Sequence, residues 1–264
     1  MTEFSKTGEA SKPDREITVS DAGKTHPWHV PEEVPVAFVF NRRNYAVMLA
    51  TPLDMEDFAL GFSLTERVID AVDEVDKIDI RQSERGIELH LSIAPERLQR
   101  LDIRQQRRNL VGRAGCGVCG LENADSFFEQ LPKVSTEKMN IVPEALSRAL
   151  GQLSDQQPIN QRTRSVHGAA WADLDGGLAA VREDVGRHNA LDKLLGSRAR
   201  INAEMGAGFV LMSSRCSYEI IEKAARLGVR AVASVSGPTA FAIRKAREAN
   251  IALYCRHGET FVEA

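Results

Sequence analysis

From Val34 onward the chain alternates between short β-like runs and stretches of helical spacing. The run VPVAFVF, the turn-like NRRN and the run YAVMLAT predict a β-hairpin. Behind it, MEDFALGFSLTERVI carries Met55, Phe58, Phe62 and Ile69 at roughly helical spacing, with Asp54 placed to cap the helix. KIDIRQ, the turn SERG and GIELHLSI predict a second hairpin, in which Ile87, Leu89, Leu91 and Ile93 alternate with polar neighbours. Together these make a small α+β unit. The next segment, PERLQRLDIRQQRRN, reads as a helix with a locally basic surface, because Arg97, Arg100, Arg104, Arg107 and Arg108 face only Glu96 and Asp102.

GRAGCGVCGLENADSF places Gly112, Gly115, Gly117 and Gly120 around two close cysteines, too much backbone freedom for a regular element, so a flexible loop is expected. A helix containing Phe127, Phe128 and Leu131 follows, then a connection through Pro132 and Pro143 to the amphipathic PEALSRALGQL. The last hundred residues alternate strands (SVHGAAWADL, LAAVRED, GFVLMS, RAVASV, IALYCR) with helices (RHNALDKLLG, YEIIEKAARLG, TAFAIRKAREAN). That order implies an α/β layer, and the all-apolar FVLM fits a strand buried on both faces. The expected division is a flexible polar tail over 1–27, an α+β domain over 28–135 that ends in the cysteine loop and its following helix, and an α/β domain over 136–264.

Composition narrows the function classes. Across 264 residues, 43% hydrophobic and 27% charged content is that of a folded globular protein. The formal net charge of -3 leaves no global basic field for nucleic acid, so any anion site must be local. With no apolar stretch near the ~20 residues needed to span a bilayer, and no apolar core in MTEFSKTGEASKPDREITV, a cytoplasmic protein away from membranes is expected.

Candidate chemistry centres on Cys116-Gly-Val-Cys119. Two intervening residues let both sulfurs face one metal, disulfide or transferred sulfur atom. Structural zinc asks for a second close pair, whereas Cys216 and Cys255 are isolated and His167, His188 and His257 lack finger-like spacing. A thioredoxin-like site asks for a strand-to-helix junction rather than a glycine-rich loop behind a basic helix. A nucleophilic thiol that holds a persulfide and swings it to an acceptor suits the loop, and nearby arginines favour its thiolate. The bland alternative is a surface pair without a task. Cys216 and Cys255, near predicted strand ends, read as small buried hydrophobes.

A second constellation lies where strands hand over to helices: REDVGRHN, SSRCSYE, SVSGPTA and, after the last strand, YCRHGE. Ligands of α/β folds collect beyond the carboxyl ends of strands, where amides and helix dipoles favour anions. Arg187, Arg215 and Arg256 are candidates for phosphates, and His188 and Ser214 lie in the same turns; Glu183, Asp184 or Asp192 are candidates for a purine or pterin edge. Each also has a scaffold reading: Ser213, Ser214, Ser217 and Thr239 as helix caps, Asp184 with Arg187 as a local ion pair, His188 as packing. A Walker motif and a strand-linked GxGxxG are both missing, and His167-Gly-Ala lacks the acidic partner of a zinc deaminase.

GRAGCGVCG, VREDVGRHNALDKLLG, SSRCSYEIIEKAA and SGPTAFAIRKAREANIALYCRHGETF together resemble the formate dehydrogenase accessory sulfur carrier family, FdhD. The resemblance implies a small N-terminal α+β domain joined to a cytidine-deaminase-like α/β domain, assembled as a homodimer. It also implies a sulfurtransferase that accepts persulfide sulfur from a cysteine desulfurase and passes it to the molybdenum cofactor, Mo-bis-molybdopterin guanine dinucleotide (Mo-bis-MGD), needed by formate dehydrogenase. By that likeness Cys116 bears the persulfide and Cys119 is its partner, while Tyr254, Cys255, Arg256, His257, Gly258 and Glu259 match the cofactor-binding segment. The rival of another class is a noncatalytic chaperone that binds the cofactor without carrying sulfur.

Overall fold

The computed structural model describes residues 2–98 and 130–264. Of the predicted basic helix over 95–109, residues 95–98 fall in this set and are helical. The rest of that helix, the loop with Cys116 and Cys119, and Phe127 and Phe128 lie outside the described residues.

The first layer is a five-stranded sheet in the order β1-β6-β7-β4-β5. Its strands are β1 (Glu3–Thr7), β4 (Val34–Phe40), β5 (Arg43–Ala50), β6 (Val75–Ser83) and β7 (Gly86–Ile93). Asn41 and Arg42, both at positive φ (46° and 70°), make the tight β4–β5 turn. Phe38, Phe40, Ile78, Ile80, Leu89 and Leu91 turn inward to helix α1 (Met55–Thr65), where Phe38 stacks on Phe62 with centroids 3.9 Å apart. Asp54 makes no side-chain cap; it sits at φ 57° and its carboxylate lies 3.6 Å from Arg182. The helix stops at Thr65, short of the predicted Ile69, because Arg67 turns to φ 56°.

The second layer is a six-stranded sheet in the order β13-β12-β11-β10-β8-β9. Its strands are β8 (His167–Asp173), β9 (Leu178–Asp184), β10 (Gly208–Met212), β11 (Ala231–Ser234), β12 (Ala252–His257) and β13 (Thr260–Glu263), with β10, β11 and β12 mutually parallel. Helix α2 (Pro143–Leu153) covers one face, with α3 (Pro158–Thr163) beside it; α4 (Arg187–Arg200), α5 (Tyr218–Arg226) and α6 (Ala240–Ala249) cover the other. The middle strand is buried throughout, as its apolar run predicts: Phe209 and Leu211 face α2, Val210 and Met212 face the opposite helices. The closing hairpin through Gly258 (φ 63°) to β13 was not foreseen, and Leu131, expected in a helix, lies in irregular chain.

The polar start is not a tail without secondary structure. Residues 3–7 form β1 and bond to β6 in parallel, while β2 (Asp14–Asp21) and β3 (Lys24–Pro31) pair along their full length. Backbone pairing supplies hydrogen bonds that a polar composition does not forbid.

The two layers are held together where α1 crosses α4. Gly61 and Gly196 permit this: a Cβ on Gly61 would lie 1.7 Å from the Asp192 carbonyl oxygen, and one on Gly196 1.9 Å from that of Asp57. Buried polar links flank the crossing. Asp57 binds Arg200 (2.8 Å) and Arg182 (2.7 Å); Asp192 accepts from Thr65 (2.7 Å) and pairs with Lys223 (2.8 Å).

Candidate functional site

Because β9, β10, β11 and β12 all end on one edge of the second sheet, and β8 begins there, the four predicted turns do assemble along a single edge. Helices α4, α5 and α6 start from it behind Gly186, Ser217 and Thr239, so three helix N-termini bring partial positive charge to the same side. The turns are stitched together. The Ser213 backbone N–H donates to the Gly168 carbonyl (2.9 Å), the Gly168 N–H donates to Ser213 Oγ (2.7 Å), and the Ser234 hydroxyl donates to the Ser214 carbonyl. Thr239 caps α6 by accepting from the Ala242 N–H at 3.1 Å.

Arg187 and His188 open α4. The Arg187 Nε is buried and has no hydrogen-bond partner among the described residues, a donor placed to meet an anion. His188 Nε2 lies 3.1 Å from Glu219 Oε2, which also accepts from the Ser217 hydroxyl at 2.8 Å. Burial pushes the Glu219 carboxyl up, but the His188 contact, the Ser217 hydroxyl and the Arg187 charge outweigh it and bring it to about 2. His167, at the start of β8, is shifted down by burial and by the neighbouring Arg187 charge, so its neutral form is favoured. Neither the Glu219 partnership nor the place of His167 was read from sequence; an acidic residue in the first turn of α5 was the available signal.

The three carboxylates considered for a purine or pterin edge are committed to internal donors. Asp184 pairs with Lys193 at 2.6 Å, both fully buried, rather than with Arg187; it also accepts from the Thr51 and Gly186 backbone N–H groups and from Asn189. Glu183 accepts the Ile159 and Asn160 N–H groups at the start of α3, and Asp192 is held by Lys223 and Thr65. With its oxygens occupied, each braces the scaffold.

Ser214 is buried and its hydroxyl donates to the Arg215 carbonyl at 3.1 Å, while Arg215 itself is exposed. The segment matched to cofactor binding divides by side. Tyr254 is buried against α2 and its hydroxyl accepts from the Ile141 N–H at 3.0 Å; Cys255 is buried on the opposite face. Arg256, His257, Gly258 and Glu259 form the exposed part of the β12–β13 hairpin. Both described cysteines behave as buried hydrophobes: burial drives the Cys216 thiol far up and Cys255 to about 12. Among the described residues, no three of His, Cys, Asp and Glu converge as metal ligands, and no helix is long and apolar enough to cross a membrane.

The fold and this edge define an α/β protein with a local cationic rim suited to an anionic ligand. The family model described as FdhD/NarQ matches residues 31–261, and the chain belongs to that family. Relatives named Sulfur carrier protein FdhD include one from Xanthomonas euvesicatoria pv. vesicatoria, 47% identical over 85% of this chain and 79% of the relative. Another, from Cupriavidus necator, is 46% identical over 86% and 78%. A crystal structure described as that of a formate dehydrogenase accessory protein from Desulfotalea psychrophila shares the fold, with TM-score 0.71, 21% identity and 95% of each chain covered.

Proposed function

We propose that this chain is a sulfur carrier serving formate dehydrogenase. Cys116 thiolate attacks the outer sulfur of a persulfide on a cysteine desulfurase, the desulfurase thiolate departs, and Cys116 holds the persulfide. Cys119 thiolate then attacks Cys116 Sγ, the persulfide S–S bond breaks, and the outer sulfur departs at the sulfide level to the molybdenum of Mo-bis-MGD, the substrate of the transfer; the two thiols supply the two electrons and are left as a Cys116–Cys119 disulfide. The observation that carries this reading is family membership, with relatives near 46% identity over most of the chain that bear the sulfur-carrier name.

The strand-end edge supports the binding half. The unpartnered Arg187 Nε, the His188–Glu219 pair and three helix starts fit the phosphates of the guanine dinucleotide. Exposed Arg215, Arg256 and His257 extend the same rim, whereas Tyr254 and Cys255 support it from beneath. The test is intact-mass spectrometry after incubation with a cysteine desulfurase and cysteine. Wild type and Cys119→Ala gain about one sulfur, and Cys116→Ala does not. A wild type that never gains sulfur refutes the carrier role and leaves a cofactor-binding chaperone.

A further inference from the structure

Gln157 stands just before Pro158, where α3 begins. It is 3% exposed, yet its Nε2 meets no acceptor among the described residues. Burying a primary amide with its donor unmet is unfavourable, and an apolar side chain of the same length would fill the space without that penalty. The amide lies flat on Gly168, near the start of β8: a Cβ there would stand 2.3 Å from Nε2 and 3.2 Å from Oε1.

Gly168 belongs to the strand-end edge, where it exchanges hydrogen bonds with Ser213. In that exchange the Ser213 hydroxyl oxygen accepts, and its own proton is spent on no described group. Glu183, opposite Gly168 in β9, offers no acceptor, because the Ile159 and Asn160 N–H groups hold its two oxygens. Two neutral side chains therefore bring unspent donors to one spot. Successive residues of a strand face opposite sides, so Gln157 covers the face of β8 away from His167 and its neighbour Arg187. The edge thus has a cationic side at Arg187 and a side of neutral hydrogen-bonding groups at Gln157.

We propose that Gln157, with Ser213, reads the lactam edge of a fused 2-amino-4-oxopyrimidine ring, the part that guanine and a pterin have in common. Nε2 and the Ser213 hydroxyl donate to the ring carbonyl, and Oε1 accepts the adjoining ring N–H. The terminal torsion of a glutamine is soft, so the amide turns from Gly168 toward the incoming ring at little cost. An adenine edge carries an amine in place of the carbonyl and sets a third donor against the first two. The assignment rests on the reading that this edge holds the dinucleotide, and it gives to a neutral amide the base contact that the braced Glu183, Asp184 and Asp192 cannot make.

The test is calorimetric titration of the full chain with pyrophosphate, GMP, IMP, AMP and 6-hydroxymethylpterin, on wild type and on Gln157→Met, which keeps the length and removes the amide. Wild type binds GMP and IMP, which share the lactam, or the pterin, at least ~10-fold more tightly than AMP. Gln157→Met weakens the lactam ligand roughly 10- to 100-fold, abolishes its margin over AMP, leaves pyrophosphate unchanged and unfolds no earlier than wild type. Gln157→Asn, whose amide falls one methylene short, shows the same loss. A guanine reader shows these effects with GMP and IMP, a pterin reader with the pterin, and either supports the proposal. A wild type that binds neither GMP nor the pterin overturns the nucleotide reading of the edge and this assignment together. Binding of GMP or the pterin without preference over AMP, or undiminished in Gln157→Met, overturns this assignment alone.

Discussion

Gly196→Ala probes the crossing that joins the two layers. A β-carbon there would stand 1.9 Å from the Asp57 carbonyl oxygen and 2.6 Å from the Gly61 nitrogen, both backbone atoms that no rotamer change can move. Restoring ordinary contact requires α1 and α4 to part by about 1.5 Å. That separation stretches the 2.8 Å Asp57–Arg200 and 2.7 Å Thr65–Asp192 links as well as the apolar packing. Overpacking alone costs about 1–3 kcal/mol, and loosening a buried charge adds to it; the gain in helix propensity returns up to ~1 kcal/mol. The expected net loss is ~3 kcal/mol, read as a drop of about 1 M in the urea midpoint followed by far-UV circular dichroism. Gly151→Ala is the control: it lies near the exposed end of α2, meets nothing within 4 Å, and should stabilise by up to ~1 kcal/mol. A Gly196→Ala protein as stable as wild type refutes the close approach.

Two other perturbations address the edge itself. Lys193→Met leaves the buried Asp184 carboxylate without its 2.6 Å partner and should cost ~3–5 kcal/mol in thermal or urea unfolding; the double variant with Asp184→Asn should recover much of that, and a near-neutral single variant contradicts the burial. Glu219, lowered to about 2, favours the folded state fully above its unfolded value of roughly 4.3, and that contribution is lost as pH falls from there towards 2. His188→Ala should therefore raise the Glu219 value and destabilise at pH 5 far more than near pH 2; an unmoved Glu219 titration by NMR rules out the pairing.

The sequence by itself determined the elements whose signal is local. Period-two runs located β4 through β9, the apolar FVLM identified the buried middle strand, and the turns after each strand were placed together on one edge of the second sheet. The four ordered motifs also identified the family. Side-chain periodicity reports which face of an element is buried, and that much needs no knowledge of the partner. Tertiary structure alone decided who the partners are. Asp184 is bonded to Thr51, 133 residues away, and Asp192 to Thr65, 127 residues away, so carboxylates that looked free for a ligand are braces. The close approach of Gly61 and Gly196 and the pairing of β1 with β6 are equally non-local. The polar positions of the β2–β3 ribbon carry no burial signal, because its strands are held by each other and by contacts with α3, the Asp14–Arg162 pair among them, rather than by a buried core. Directional hydrogen bonds and ion pairs form between groups brought together by packing, and no spacing along the chain records which donor will meet which acceptor.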